Sequence, residues 1–214
     1  FFLSSSLLSR IGGARKAAAR AQFSKGEQRD LAQVLANGGV ALLAALAFGL
    51  HPAEGWWALF VGALATATAD TWATELGTLS RGQPRLITNG RRVERGTSGA
   101  VSGLGLAATI AGAAFIAGGG ALLEGQVALG VMIAGTLGGT LGSLADSWLG
   151  ATLQARYTCP GSTALTEKNT CPDGAPARLV QGWPWMDNDL VNGLATLVGG
   201  VLSLAVWVGL VAGS

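Results

Sequence analysis

The chain has 214 residues, a formal net charge of +2, 50% hydrophobic residues and only 12% charged ones. With a mean hydropathy of +0.44, this composition argues against a soluble globule and for a polytopic helical membrane protein. Its 34 glycines sit mostly inside apolar runs, where small residues let helices pack closely. No nucleic-acid partner is expected.

Residues 1–9 are apolar but would cover only about 13 Å as helix, under half of the hydrocarbon thickness. We read them as the end of a spanning helix that starts before Phe1, since a signal peptide would need a basic lead. Five longer apolar segments follow, at about 31–50, 56–79, 97–118, 125–153 and 190–212, each long enough to cross a core of roughly 30 Å. The expectation is therefore an all-α, single integral-membrane unit over 1–214, with six or more spans. All 14 Lys and Arg fall in linkers 10–30, 80–96 and 154–189. The positive-inside rule makes those three linkers cytoplasmic.

In linker 10–30, the run Lys25-Gly26-Glu27-Gln28-Arg29-Asp30 leads into the first long segment. Asp30 is its expected N-cap, and Asn37 lies seven residues on, along the same face. The 56–79 segment contains Ala69-Asp70-Thr71-Trp72 and then Glu75, with small or polar residues at Ala63, Thr66, Asp70, Ala73, Thr74 and Gly77 forming one narrow stripe. An ionised Asp at the centre of a membrane helix costs roughly 2.5 to 3.5 kcal/mol or more, so it faces a cavity and serves a function. Linker 80–96 carries Asn89-Gly90 between short β-prone runs, a type I′ hairpin signal that sets Arg85 over the cytoplasmic mouth. Thr97 and Ser98 offer the N-cap of the next helix.

The 125–153 segment repeats the design, with Gly135, Gly139, Gly142, Gly150 and the echo Ala145-Asp146-Ser147-Trp148. Asp70 lies 11 residues before Arg81 and Asp146 lies 10 before Arg156, so both sit about 15 Å below the cytoplasmic boundary. Their 76-residue offset points to an internal duplication. Trp72 and Trp148 read as packing residues. Linker 154–189 holds Cys159 and Cys171, expected as free thiols on a reducing side. The group Asp187-Asn188-Asp189 and then Asn192 follow at the start of the last segment.

No phosphate loop, dinucleotide fingerprint or nucleophile elbow is present. The polarity is gathered instead at the cytoplasmic ends of helices. Helices beginning near 31, 97 and 190 turn their N-termini there, a natural site for phosphates. Two carboxylates at 4 Å repel by roughly 4 kcal/mol at an effective dielectric of 20. If Asp70 and Asp146 meet, they need a shared proton or a metal, and Mg²⁺ with phosphate oxygens is the economical answer. The rival reading is an ion-coupled transporter using the two intramembrane Asp residues as a relay. A transporter needs a polar path to the outer face, and that half is nearly bare of polar groups.

The blocks K-G-E-Q-R-D-L-A-Q-V-L-A-N-G-G (25–39), A-D-T-W-A-T-E-L-G (69–77), P-R-L-I-T (84–88), V-E-R-G-T-S-G (93–99), G-S-L-A-D-S-W-L-G-A-T-L-Q (142–154) and N-D-L-V-N (188–192) occur in this order. They resemble the membrane family of phytyl-phosphate kinase and transmembrane protein 19. The resemblance implies an enzyme that transfers the γ-phosphate of a nucleoside triphosphate, CTP by preference or ATP, to a phytyl- or geranylgeranyl-type monophosphate. It implies Mg²⁺ as cofactor and a bacterial inner membrane, with the active site on the cytoplasmic side. Asp70, Glu75, Asp146 and Arg85 are the expected catalytic set. Asp70, Glu75, Asp146 and Asp189 (with Asp187 its neighbour) are expected to hold metal. Lys25, Arg29, Asn37, Thr97, Ser98, Gln154, Asn188 and Asn192 are expected at the phosphates.

Overall fold

The computed structural model describes Ser4, Leu7, Leu8 and residues 31–124, 128–162 and 164–213. Five long helices carry the described fold: α1 (Leu31–Leu50), α2 (Glu54–Gly77), α3 (Gly103–Glu124), α4 (Ala128–Thr152) and α5 (Asn188–Ala212). Between them run five short strands: β1 (Arg85–Leu86), β2 (Ala100–Val101), β3 (Arg156–Thr158), β4 (Leu165–Thr166) and β5 (Arg178–Gln181).

Four of the helices, all but α2, are long and apolar enough to cross a membrane. Five such segments were expected in this region, and α2 differs from the other four in hydropathy, not in length. The reason lies in packing. At 24 residues α2 has the length, but it packs against all four others, so lipid-grade hydropathy is not required of it. Residues Val61, Ala63, Ala65, Ala67 and Ala69 are all buried, and so are Thr66 and Thr68 between them. Thr66, Thr68 and Thr71 return their hydroxyl protons to the carbonyls of Gly62, Leu64 and Ala67, at 2.8–2.9 Å. Each hydroxyl is thereby satisfied without water, as a bilayer interior demands.

The glycine stripe of α4 lies against α2 and α3. Gly135 meets Val61 and Ala117, Gly139 meets Ala65 and Ala113, and Gly142 meets Thr66. Where α2, α4 and α5 cross, Ser203 donates to the carbonyl of Ala58 at 2.7 Å. The two Asp-Trp echoes differ in surroundings. Trp72 stacks on Phe115 and donates to Ser4, whereas Trp148 is half exposed on the outside of the bundle. Trp148 is thus not the packing residue expected.

Between α2 and α3 the chain reverses at residues 87–90, with the Leu86 amide bonded to Arg91 O at 2.9 Å and Arg85 bridging Arg92. A turn is present at Asn89-Gly90, but it is not type I′. Gly90 has φ of +69°, while no residue other than glycine has positive φ among those described. Type I′ needs both central residues there. The main ladder is instead β1 with β2, antiparallel, Arg85 opposite Val101 and Leu86 opposite Ala100. That pairing uses up residues 97–102, so α3 begins at Gly103. Its cap is Ser102, whose Oγ accepts from the Gly105 amide at 3.0 Å, rather than Thr97 or Ser98.

The linker after α4 is a three-stranded antiparallel sheet in the order β4-β3-β5. Cys159 and Cys171 form a disulfide across its base, with Cα atoms 5.8 Å apart. This corrects the expectation of free thiols. The pairing of β3 with β4 folds the chain back, and a further bridge between Thr170 and Pro176 brings the second cysteine alongside the first. A compartment argument could not see that proximity.

Candidate functional site

A cavity of about 310 Å³ opens at the end of the bundle where α2 and α4 finish and α1, α3 and α5 begin. From α2 it takes Asp70, Thr71, Thr74 and Glu75, with Thr78 just past its end, and from α4 it takes Asp146 and Ser147. Gln33 comes from the first turn of α1, Asn188 and Asn192 from the start of α5, and Gly105 and Thr109 from α3. The remaining wall is loop: Arg95 and the whole turn Gly96-Thr97-Ser98-Gly99, with Glu167 reaching in just after β4.

Asp70 and Asp146 therefore face one space, and Asp70 and Glu167 both lie within electrostatic reach of Asp146. One oxygen of Asp146, Oδ2, is buried without a hydrogen-bond partner. Such an orphaned buried acceptor points to a missing cationic or donating ligand. Four acidic residues (Asp70, Glu75, Asp146, Glu167) and Arg95 line the cavity among the described residues. Arg95 is anchored by donating to the carbonyls of Ser80 and Arg81, at 2.8 and 3.2 Å.

The 96–99 turn takes its shape from two left-handed glycines, Gly96 at φ +87° and Gly99 at φ +75°. Gly99 also has no room for a side chain, because a Cβ would run into Ala151 and the carbonyl of Ser147 on α4. The turn is thus pressed onto the helix that carries Asp146. Behind it lies Gln154, 1% exposed. Its Oε1 accepts from Ser98 Oγ, and its Nε2 donates to Glu167 Oε1 at 2.9 Å. One buried amide joins two separate walls of the cavity. Arg156, 3% exposed, stands beside Glu167. Burial pushes its guanidinium down from the usual range, and the charge of Glu167 offsets part of that.

The geometry redistributes the expected residues. Asp70, Glu75, Asp146, Thr97, Ser98, Asn188 and Asn192 do share the cavity. Arg85 does not line it; it is exposed and donates to Gly90 O at 2.9 Å. Asn37 bonds back to the carbonyl of Gln33, and it is Gln33 that reaches the wall. Gln154 lies behind the wall rather than on it. Asp187 caps α5 by accepting from the Leu190 amide at 2.9 Å, and Asp189 is not on the lining. Lys25, Arg29 and the expected cap Asp30 lie outside the described residues.

Arg95 and Glu167 were the residues that sequence reasoning missed. Arg95 sits two residues before the Thr97-Ser98 pair already singled out, so proximity to that turn was the available signal. Glu167 carried none, since only the fold of the β4-β3-β5 sheet brings it back over the bundle. Among the described residues, no group of three or more acidic, histidine or cysteine side chains is arranged to hold a metal by itself.

The fold and the cavity define a polytopic helical membrane protein with an acid-lined chamber at one end of its bundle. The chain belongs to the integral membrane protein DUF92 family, which it matches over residues 1–200. It is 34% identical over 211 residues to an uncharacterized membrane protein of Methanocaldococcus jannaschii, covering 97% of this chain and 73% of that one. Protein PGR of Arabidopsis thaliana is 35% identical over 225 residues, covering 92% of this chain and 76% of its own. An uncharacterized membrane protein of Synechocystis sp. is 32% identical, covering 96% and 70%. No solved structure matches the chain.

Proposed function

We propose that the protein is a prenyl-monophosphate kinase, transferring the γ-phosphate of a nucleoside triphosphate to a membrane-borne isoprenoid monophosphate. The observation that carries this reading is the composition of one cavity: facing carboxylates, a left-handed glycine turn, an anchored arginine and the starts of three helices. Helix N-termini and glycine turns favour phosphate oxygens. The carboxylates alone would repel them, by roughly 4 kcal/mol per pair of charges at 4 Å and an effective dielectric of 20. A divalent cation between them reconciles the two sets.

Asp146, with its unpartnered oxygen, and Asp70 fit Mg²⁺. That ion is usually held by one or two carboxylates with the remaining positions left to water and substrate phosphates. Bound there, Mg²⁺ would neutralise phosphate charge. In the transfer, an oxygen of the prenyl monophosphate forms a bond to the γ-phosphorus while the bond from that phosphorus to the β-phosphate oxygen breaks. The products are a prenyl diphosphate and a nucleoside diphosphate. The attacking oxygen is already anionic, so no histidine or other strong base is required. Positioning and charge stabilisation carry such reactions. The Thr97 hydroxyl and the Ser98 and Gly99 amides orient the phosphates, Ser98 Oγ ties the turn to Gln154, Arg95 takes up charge at the mouth, and Asn188 and Asn192 bond to polar atoms of the ligand.

Titration of the purified protein with CTP and with ATP tests this reading. Binding is expected with Mg²⁺ and not with EDTA, weakened at least tenfold by Arg95→Ala (about 1.4 kcal/mol) and unchanged by Arg85→Ala. Equal binding in EDTA, or indifference to Arg95→Ala, would contradict it.

A further inference from the structure

The three-stranded sheet carries an apolar surface that the cavity does not use. Its edge strand β5 exposes Leu179 (36%) and Val180 (42%), and the turn after it exposes Trp183 (46%) and Trp185 (62%). The two indole rings stack on each other, with centroids 5.0 Å apart. The turn is not loose. The Trp183 amide donates to Leu153 O at 3.0 Å, and the Ala155 amide donates to Met186 O at 2.8 Å. Gly182, at φ +76°, lies so close to the Leu153 and Gln154 backbone that no side chain fits. Met186 is buried at 2% exposure. The same short stretch thus turns its methionine inward and holds its two tryptophans outward on a fixed backbone.

That backbone lies between the end of α4 at Thr152 and the start of α5 at Asn188, both of them candidate membrane spans. The tryptophans are therefore at the height where two helices leave the bilayer. Indole rings favour that layer, apolar on their faces and able to bond through N–H. In water the same exposed apolar area would be unfavourable by about 25 cal/mol per Å².

We infer that Trp183, Trp185 and the β5 edge rest in the headgroup layer of the lipid bilayer, so that the extramembrane sheet lies against the membrane. In the order β4-β3-β5, the lipid-bound edge is opposite the edge that delivers Glu167. The anchor therefore fixes the sheet between the bilayer and the cavity. This inference stands whether or not the cavity performs phosphoryl transfer.

Tryptophan fluorescence of the full chain in phosphatidylcholine nanodiscs tests it, using the difference between wild type and Trp183→Phe/Trp185→Phe, or either single variant if the double one does not fold. The difference signal is expected to be blue-shifted. It should lose most of its intensity when the lipid is brominated near the headgroup end of its chains, and little with aqueous iodide. Quenching by iodide but not by bromolipid would overturn the inference by placing the pair in water. Quenching by neither would overturn it by showing that protein, a second copy or a partner, covers the pair.

Discussion

A carboxylate oxygen buried without a partner is a cost that a purely structural residue would not carry. At Asp146 that cost is expected to be recoverable. Removing a buried carboxyl group with one unpartnered oxygen relieves a desolvation penalty. Asp146→Asn should therefore raise the thermal midpoint of the purified protein while abolishing transfer activity. A lower midpoint would assign Asp146 to the scaffold. Arg95→Ala and Arg85→Ala separate the arginine that lines the cavity from the one that sequence reasoning chose. The first should cut kcat/KM at least tenfold and the second leave it unchanged. Asp70 and Asp146 were legible because an acid in an apolar run is rare and costly. Thr97 and Ser98 were singled out as the cap of the next helix, a role that falls to Ser102, so they reached the cavity list through the resemblance. Glu167 was not, because hydropathy treats an acid in a polar linker as solvated, and only tertiary pairing shows otherwise.

Among the elements, α2 shows where segment hydropathy misleads. A helix surrounded by others can carry threonines and acids that a lipid-facing one cannot, so its span was legible by length but not its central place. Its packing depends on small residues more than on polar ties. A Cβ on Gly62 would meet Ser203 and lie 2.8 Å from the carbonyl of Gly199, and overpacking of that kind costs about 1–3 kcal/mol. The buried bond from Ser203 to Ala58 O is of a kind that averages only about 0.6 kcal/mol within a membrane. Gly62→Ala should accordingly lower the unfolding midpoint in detergent more than Ser203→Ala does, and the reverse order would contradict glycine-led packing. In the extramembrane sheet, alkylation before reduction should leave Cys159 and Cys171 unmodified, and after reduction both should be labelled. Labelling without reductant would show the disulfide to be absent. The sheet itself was illegible because its strands are two to four residues long, too short for an alternating pattern.

For the whole molecule, charge asymmetry predicts that the cavity end faces the cytoplasm. The linker at 51–53 would then be reached by a membrane-impermeant cysteine reagent only from the opposite side. The cavity gathers helix starts, glycine turn and acids at one end, as a ligand entering from one side requires, and a relay across the membrane would need polar groups at both. Direct conversion decides between the two. The purified protein is incubated with phytyl or geranylgeranyl monophosphate, Mg²⁺ and each nucleoside triphosphate in turn, and the lipid products are separated. The account predicts prenyl diphosphate with at least one nucleotide, strictly dependent on Mg²⁺ and lost in Asp70→Asn and Asp146→Asn. No diphosphate with any nucleotide from a folded protein would contradict it and return the two intramembrane acids to ion transport.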